Sequence, residues 1–408
     1  MWFRIVYTCF VVCSIFLGSL YIGPMTLRQI TTAFMFVFCI KEQRNIWYEK
    51  SWIFYLLFLL IFGFSSLING YGGQFLKELI GYYFVAFIGC WATVIIRKKY
   101  DISLFIYTII IVGVFNAIIT IFQAFGVPWA LSIGYKMNLN EIESLSDKMI
   151  YGSVLSSSIP GLIGATSNGY FLLISSVLST YLIIAKTSVL KYIPSISFYI
   201  PFIVCFIGSF MCQQRMAFFI NVVFFTYFLI NYFKNLDKWR KLLLIINIML
   251  CCFYIIPNFL NFSEQNEMRY STLGVDGTGR ERIYDITKDY IDKHLINANI
   301  YHFRAINGFS PHILFYNMMI YGGVFGFIFV FVALVIHVNK SIKIIFKRFN
   351  RSTIIDILIA VSLLGFIANS LTHNTSIITG DVLYWMLWGG ICMLNNNLKK
   401  ELDINKKQ

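Results

Sequence analysis

The sequence predicts an all-α, polytopic integral membrane protein of about twelve transmembrane helices, and three observations predict it. Of 408 residues, 58% are hydrophobic and only 13% charged, with a mean hydropathy of +0.71. Soluble chains average about 45–50% apolar and about 25% charged, so a soluble enzyme is excluded. Apolar runs near 20 residues, long enough to cross about 30 Å of hydrocarbon, recur along nearly the whole chain. Lysine and arginine then collect in every second connection between those runs.

The runs are residues 5–22, 25–40, 52–68, 75–96, 102–126, 166–185, 195–211, 214–233, 241–260, 311–337, 353–371 and 381–395. Backbone amides and carbonyls find no water in lipid, so runs of this length must be helices. The first, preceded by Arg4, resembles a secretory signal. It is read as a span because no small-residue cleavage site follows and because its loss would invert every later loop against its charge. An even count puts both termini on one side, and cytoplasmic loops favour Lys and Arg. With the termini inside, the inner segments hold 22 of the 33 basic residues and 7 of the 19 acids. The outer segments hold the other 11 basic residues, Arg28 and Lys77 among them, and 12 acids, which gives a net charge of +15 inside and −1 outside. The basic balance is therefore topology, and no nucleic-acid partner is expected.

The chain reads as a single membrane domain over 1–408. Two outer loops are long, 127–165 and 261–310, and 395–408 is a short basic cytoplasmic tail. The first loop, with Glu141, Glu143 and Asp147, reads as a polar connector in which Tyr135 and Tyr151 are candidate interfacial residues. The nine cysteines lie within or beside spans without CxxC spacing and behave as small hydrophobes. No metal site is indicated.

The second loop is where chemistry is expected. Thr278-Gly279-Arg280-Glu281 matches a capping box, so a helix should start at Gly279. Beyond it Ile283, Ile286, Tyr290 and Leu295 fall on one side, with Arg282, Asp285, Asp289, Asp292 and Lys293 elsewhere, an amphipathic pattern suited to a membrane surface. Arg280 and Arg282 in the first turn oppose the helix dipole; with a phosphate bound, the same placement becomes a site of free amides and guanidinium forks. Ser310-Pro311-His312 repeats the pattern, with serine as N-cap and proline at the first helical position, and a histidine there tends to stay neutral. Gln213-Gln214-Arg215 opens the eighth run, also at its outer end. Each residue also has a plain structural reading. Arg215 snorkels to headgroups, His312 is an interfacial cap, and Arg280 and Arg282 pair with Glu281 and Asp285. Arg304, His302, His294 and His373 read first as structural or solvated.

These pieces, Gln213-Gln214-Arg215-Met216, Gly279-Arg280-Glu281-Arg282, and Gly308-Phe309-Ser310-Pro311-His312 followed by Tyr321-Gly322-Gly323-Val324-Phe325-Gly326, sit on about twelve spans with a long late outer loop. The arrangement resembles bacterial O-antigen polymerases of the Wzy type and their relatives the O-antigen ligases. Two departures stand out: Gln214 replaces the usual serine or glycine before the first arginine, and Ile313 replaces the asparagine that often follows the histidine.

The resemblance implies an inverting, metal-independent, cofactor-free glycosyltransferase of the bacterial inner membrane with a GT-C-like helical fold. It would act at the periplasmic face on undecaprenyl-diphosphate-linked donor and acceptor glycans, alongside membrane lipids, a chain-length regulator and a flippase. By the same resemblance Arg215 and Arg280 contact the diphosphate, Arg282 and Arg304 are further substrate contacts, and His312 is general base or orients the acceptor hydroxyl. Tyr270, Tyr284, Tyr301, Phe303 and Phe309 are candidates to stack on sugar rings. Three readings compete: the polymerase, a ligase moving the same donor onto lipid A core, and a flippase or transporter. Against transport, Lys77, Glu78, His337 and Asp356 all sit near span ends rather than at mid-span, where coupling groups are expected.

Overall fold

The computed structural model describes residues 2–18, 20–22, 25–42, 50–137, 159, 161–164, 167–185, 195–212, 214–233, 280–309, 311, 314–346, 354–371, 378, 380–392 and 394. Helix α1 (Trp2–Ile15) is followed by a hairpin of two-residue strands, β1 (Tyr21–Ile22) and β2 (Met25–Thr26), and by α2 (Leu27–Glu42). Next come α3 (Lys50–Ile68) and one long helix in three parts, α4 (Gly72–Glu78), a π-helical turn (Leu79–Tyr83) and α5 (Phe84–Lys99). Then follow α6 (Ser103–Ala124), α7 (Pro128–Met137), α8 (Asn168–Ala185), a 3₁₀ turn (Ser195–Tyr199) leading into α9 (Ile200–Met211), and α10 (Arg215–Phe233). The late elements are α11 (Arg280–Lys293), α12 (Ile300–Asn307), α13 (Leu314–Ile320), α14 (Gly323–Ile345), α15 (Ile354–Ser370) and α16 (Val382–Ile391).

The all-α class holds among the described residues, the hairpin being the one exception. Four helices, Lys50–Ile68, Gly72–Lys99, Ser103–Ala124 and Gly323–Ile345, are long and apolar enough to cross a membrane, and six shorter helices are apolar. A helix falls on each expected run except 241–260, which lies outside the described residues, as does the 395–408 tail. Three boundaries differ from expectation. The first run stops being helical at Ile15 and turns through the hairpin, whose Gly23-Pro24 pair cannot continue a helix. The run expected at 311–337 starts at Leu314 and breaks between α13 and α14, because Gly323 takes φ +61 and a Cβ there would meet the Ile296 carbonyl at 2.5 Å. Pro311, expected at the first helical position, lies outside the helix and its carbonyl accepts from Asn317 Nδ2 at 3.0 Å.

Two compact units emerge, Met1–Asn221 with Leu295–Gln408, and Val222–His294. In the first, helices approach at small residues, the route open to bundles that gain no hydrophobic advantage from lipid. Gly389 of α16 lies against α5, where a Cβ would stand 2.5 Å from the Cys90 carbonyl, and Gly208 of α9 lies on Ala117 of α6. In the second unit, α11 starts at Arg280 and is amphipathic as expected. Thr287, Tyr290 and Ile291 are buried while Asp285, Lys288, Asp289 and Asp292 are exposed. Leu295, placed on that apolar side by the sequence pattern, falls beyond the helix end and is exposed. The capping residues Thr278 and Gly279 lie outside the described residues.

Within the first unit, hydrogen bonds and ion pairs define one basic end. Lys99 at the end of α5 donates to Glu42 at the end of α2 at 2.9 Å, Arg97 pairs with Asp356 at the start of α15, and Arg97 donates to the Gly390 carbonyl at 2.7 Å. Lys41, Arg97, Lys98, Lys99 and Lys343 all occupy last turns, where cations complement the helix dipole.

Loop 127–165 is more than a polar connector. It carries α7, and its end is stapled into the bundle: Gln123 Oε1 accepts from Gly161 N at 2.8 Å, Asn116 Oδ1 accepts from Leu162 N at 2.8 Å, and Asn168 Nδ2 donates to the Ile159 carbonyl at 2.8 Å. Gly161 has φ +57, and a Cβ would meet Asn116 Oδ1 at 2.5 Å. Gly161→Ala should therefore destabilise the detergent-solubilised protein by about 1–3 kcal/mol, the usual cost of a strained side-chain conformation. The check is a lowered midpoint of thermal aggregation, against an unchanged midpoint for Gly73→Ala, where a Cβ meets nothing within 4 Å.

Candidate functional site

At the end of the first unit opposite the basic end lies a cavity of about 750 Å³, inside the range of about 300–1,000 Å³ typical of ligand pockets. Three elements build its charged wall. From α4, Gln74, Lys77 and Glu78, with Gly81 one turn on, stand at the i, i+3, i+4, i+7 positions of one helix face. The π-helical turn that follows winds more loosely, and Tyr82 reaches the same wall beside Gly81. From α12, Tyr301, Arg304 and Ala305 again share one face. From the start of α2, Arg28 and Gln29 complete it, next to Thr26 of the hairpin and Gly18.

Arg28 is held by shape and π electrons. Its guanidinium lies over Gly18, in the space a side chain there would fill, and 5.5 Å from the Tyr82 ring centroid. Its Nε is buried without a hydrogen-bond partner. It also acts electrostatically on Asp381, whose carboxylate accepts from Tyr170 Oη at 2.5 Å and caps α16 through Leu383 N and Tyr384 N.

Glu78 faces Tyr301 and Arg304. The Tyr301 hydroxyl is buried and has no partner at ordinary hydrogen-bond geometry. Burial first, and then the Glu78 charge, hold that phenol well above its usual range, so it stays protonated. Arg304 also acts on the buried Tyr321. Lys77, Arg28 and Arg304 against Glu78 leave the cavity with a surplus of positive charge, and Tyr71, Tyr82 and Tyr301 give it aromatic walls.

The α12 wall is fixed by Asn299. Its Oδ1 caps the helix through Tyr301 N at 2.9 Å and His302 N at 3.3 Å, and its Nδ2 donates to Ser66 Oγ at 2.9 Å. Ser65 Oγ donates to the Ala298 carbonyl at 3.1 Å, and Asn69 Nδ2 to that of Asn297 at 3.3 Å, so the chain before α12 is sewn to the end of α3. Gly308, at φ +74, closes the helix.

Among the sequence-predicted residues, Arg304 lines the cavity, as a substrate contact would. Arg215 opens α10 and Arg280 opens α11, as expected, with Arg282 in the same first turn; the side chains of all three lie outside the described residues, as does His312. Gln214 is buried against Gly169, whose missing side chain makes room for this larger residue in place of serine or glycine. Of the aromatic candidates, Tyr301 lines the cavity, while Phe303 is fully buried and packs edge-on against Phe309 at 5.4 Å. Tyr284 lies in the second unit and Tyr270 outside the described residues. The His294 ring lies tilted against that of Tyr290, centroids 4.6 Å apart.

Sequence reasoning missed Arg28, Lys77 and Glu78 as site residues. A signal was present, since Gln74, Lys77 and Glu78 form a polar stripe at helical spacing where an apolar run opens. Among the described residues no group of three or more His, Cys, Asp or Glu is placed to hold a metal. Compared with known proteins, the chain matches no protein-family model and no curated protein.

If Asn299 is the pin of the α12 wall, Asn299→Ala removes a cap worth about 0.5–2 kcal/mol and leaves the Ser66 hydroxyl short of a partner. Hydrogen exchange should then quicken by tenfold or more at the amides of residues 300–307 and stay unchanged in α5. Equal protection in both helices of the variant would show that other contacts hold the wall.

Proposed function

We propose that the protein is an O-antigen polymerase. On this reading it is a twelve-span, GT-C-like glycosyltransferase of the inner membrane, with both termini cytoplasmic, that moves a growing undecaprenyl-diphosphate-linked glycan onto a new lipid-linked repeat unit at the periplasmic face. One observation carries the reading: the cavity opposite the basic helix ends combines Arg28, Lys77 and Arg304 with tyrosine walls. Each phosphoryl of a lipid diphosphate carries negative charge, which guanidinium forks match. Sugar rings offer C–H faces that aromatic rings cover. A cavity of this chemistry at the outer ends of apolar helices suits a ligand whose tail is in lipid and whose head is an anionic glycan.

In inverting transfer the acceptor oxygen attacks the anomeric carbon as the diphosphate departs, and charge grows on the leaving group. Donors preorganised toward that charge accelerate the step. Arg28 and Arg304 take this role in the cavity. By the family resemblance Arg215 and Arg280 also act on the diphosphate, with Arg282 as a further substrate contact and His312 at the acceptor hydroxyl, without a metal ion.

The test is genetic. Deleting the gene should leave lipopolysaccharide with one repeat unit on its core; core with none attached points instead to a ligase or a flippase. In the complemented strain, Arg304→Ala, Arg215→Ala and Arg280→Ala, each expressed at wild-type level, should shorten the ladder through rate losses of roughly 10²–10³, and the Lys variants should recover only in part. Wild-type ladders from all three would overturn the site. Reporter fusions supply a separate check, with residue 290 expected in the periplasm and residues 339–352 in the cytoplasm. A cytoplasmic residue 290 sinks the orientation.

A further inference from the structure

The cavity holds one acid among its charged wall residues, and that acid is out of keeping with a wall meant only for anions. Glu78 lies one helical step from Lys77, faces the buried Tyr301 hydroxyl and feels Arg304. A carboxylate placed so weakens the very positive field that would hold a diphosphate. Among the described residues no salt bridge neutralises its carboxylate, whereas Asp356, Glu42 and Asp289 each have one, and the neighbouring Tyr301 hydroxyl can orient it without cancelling its charge. The α4 face and the clamped α12 fix it in place on rigid elements, as a reacting group needs. A sugar hydroxyl is the ligand group that calls for an acceptor of this kind, because a carboxylate takes its hydrogen bond and then its proton.

We infer that Glu78 is the acceptor-side catalytic residue of the cavity, receiving the proton of the attacking sugar hydroxyl during transfer from a lipid-diphosphate-linked glycan. The inference rests on the glycosyl-transfer reading above and places the base on α4 in addition to, or instead of, His312. In the step, a lone pair of the acceptor hydroxyl oxygen forms the new bond to the donor's anomeric carbon. The bond from that carbon to the diphosphate oxygen breaks, and its electron pair leaves on the diphosphate. The hydroxyl proton passes to the Glu78 carboxylate, which becomes a neutral acid and later releases the proton to water. Arg28, Lys77 and Arg304 face the negative charge that the leaving diphosphate gains. The Tyr301 hydroxyl, held protonated, is a donor able to orient the carboxylate or the acceptor sugar.

The experiment uses the full-length protein in proteoliposomes with lipid-linked repeat units extracted from cells lacking the gene, and reads initial rates of ladder formation across pH. Binding of sugar-free polyprenyl diphosphate is measured in parallel. Glu78→Gln should lower the rate by about 10²–10⁴, flatten the acid limb of the pH profile, and leave polyprenyl diphosphate binding at least as tight as in wild type. Glu78→Asp keeps the acid and withdraws it, so it should be slower than wild type and retain the acid limb; it also decides the matter should the Gln variant fail to fold. A Glu78→Gln rate within threefold of wild type with an unchanged profile overturns the inference, as does a Glu78→Asp rate equal to wild type, or a loss of binding that accounts for the whole loss of rate. In those cases wild-type ladder formation still stands and polymerase function is untouched. If wild-type protein forms no ladder from these substrates, the polymerase reading itself falls and takes Glu78's role with it.

Discussion

Charged side chains at the end of an apolar bundle are costly unless water or partners reach them, and much of this structure around α4 answers that one constraint. Lys77 and Glu78 occupy the opening turns of a helix that is otherwise apolar through to Arg97. They are kept in a polar cavity by three arrangements: Arg28 laid over Gly18 and Tyr82, the looser π-helical turn at Leu79–Tyr83, and the α12 wall pinned by Asn299. Remove the pin and the cavity loses the face that carries Tyr301 and Arg304. The basic end meets the same constraint in the opposite way, by pairing, with Arg97 to Asp356 and Lys99 to Glu42. Two cations of the basic end thus have acid partners, while at the other end three cations share one cavity wall with a single acid.

That asymmetry explains what was legible in the sequence. The helices follow from runs that have no alternative to helix in lipid, and the grouping of Lys41, Arg97 to Lys99 and Lys343 at one end follows from counting. The break at Gly322-Gly323 was not legible, because it depends on the Ile296 carbonyl coming within 2.5 Å of where a side chain would stand, a contact between residues that a hydropathy window treats separately. The end of α1 at Ile15 was hidden for a similar reason. Residues 16–22 are apolar enough to look like more span, and the hairpin only forms because Leu27 N reaches back to the Leu20 carbonyl at 2.8 Å.

The candidate site shows the same division. Arg304 was singled out as a basic residue in the late loop, and it does line the cavity. Arg28 and Lys77 were seen only as two of the outer charges, since they come from the second and fourth runs and meet Arg304 through folding alone. Loop 127–165 looked like a connector because serine, glycine and acids dominate its composition. What fastens its end is a set of amide side chains, Asn116, Gln123 and Asn168, buried inside apolar helices. Each would be a liability alone; together they pair the Ile159 and Gly161 carbonyls and the Gly161 and Leu162 amides, and no pattern read along one helix reveals the match.

The same reasoning bears on why the cavity keeps an acid at all. A wall of three cations would hold a diphosphate more tightly without Glu78, yet tighter holding of donor and product alike accelerates nothing, because only interactions stronger in the transition state than in the ground state raise the rate. In the proposed transfer the leaving diphosphate becomes more negative while the carboxylate, on taking a proton, becomes neutral. The field of Arg28, Lys77 and Arg304 on the diphosphate is thus opposed by Glu78 before reaction and unopposed after it. If the transfer runs as proposed, a carboxylate in that position makes the cationic wall bind the transition state better than the substrate, which is the electrostatic change that such a transfer requires.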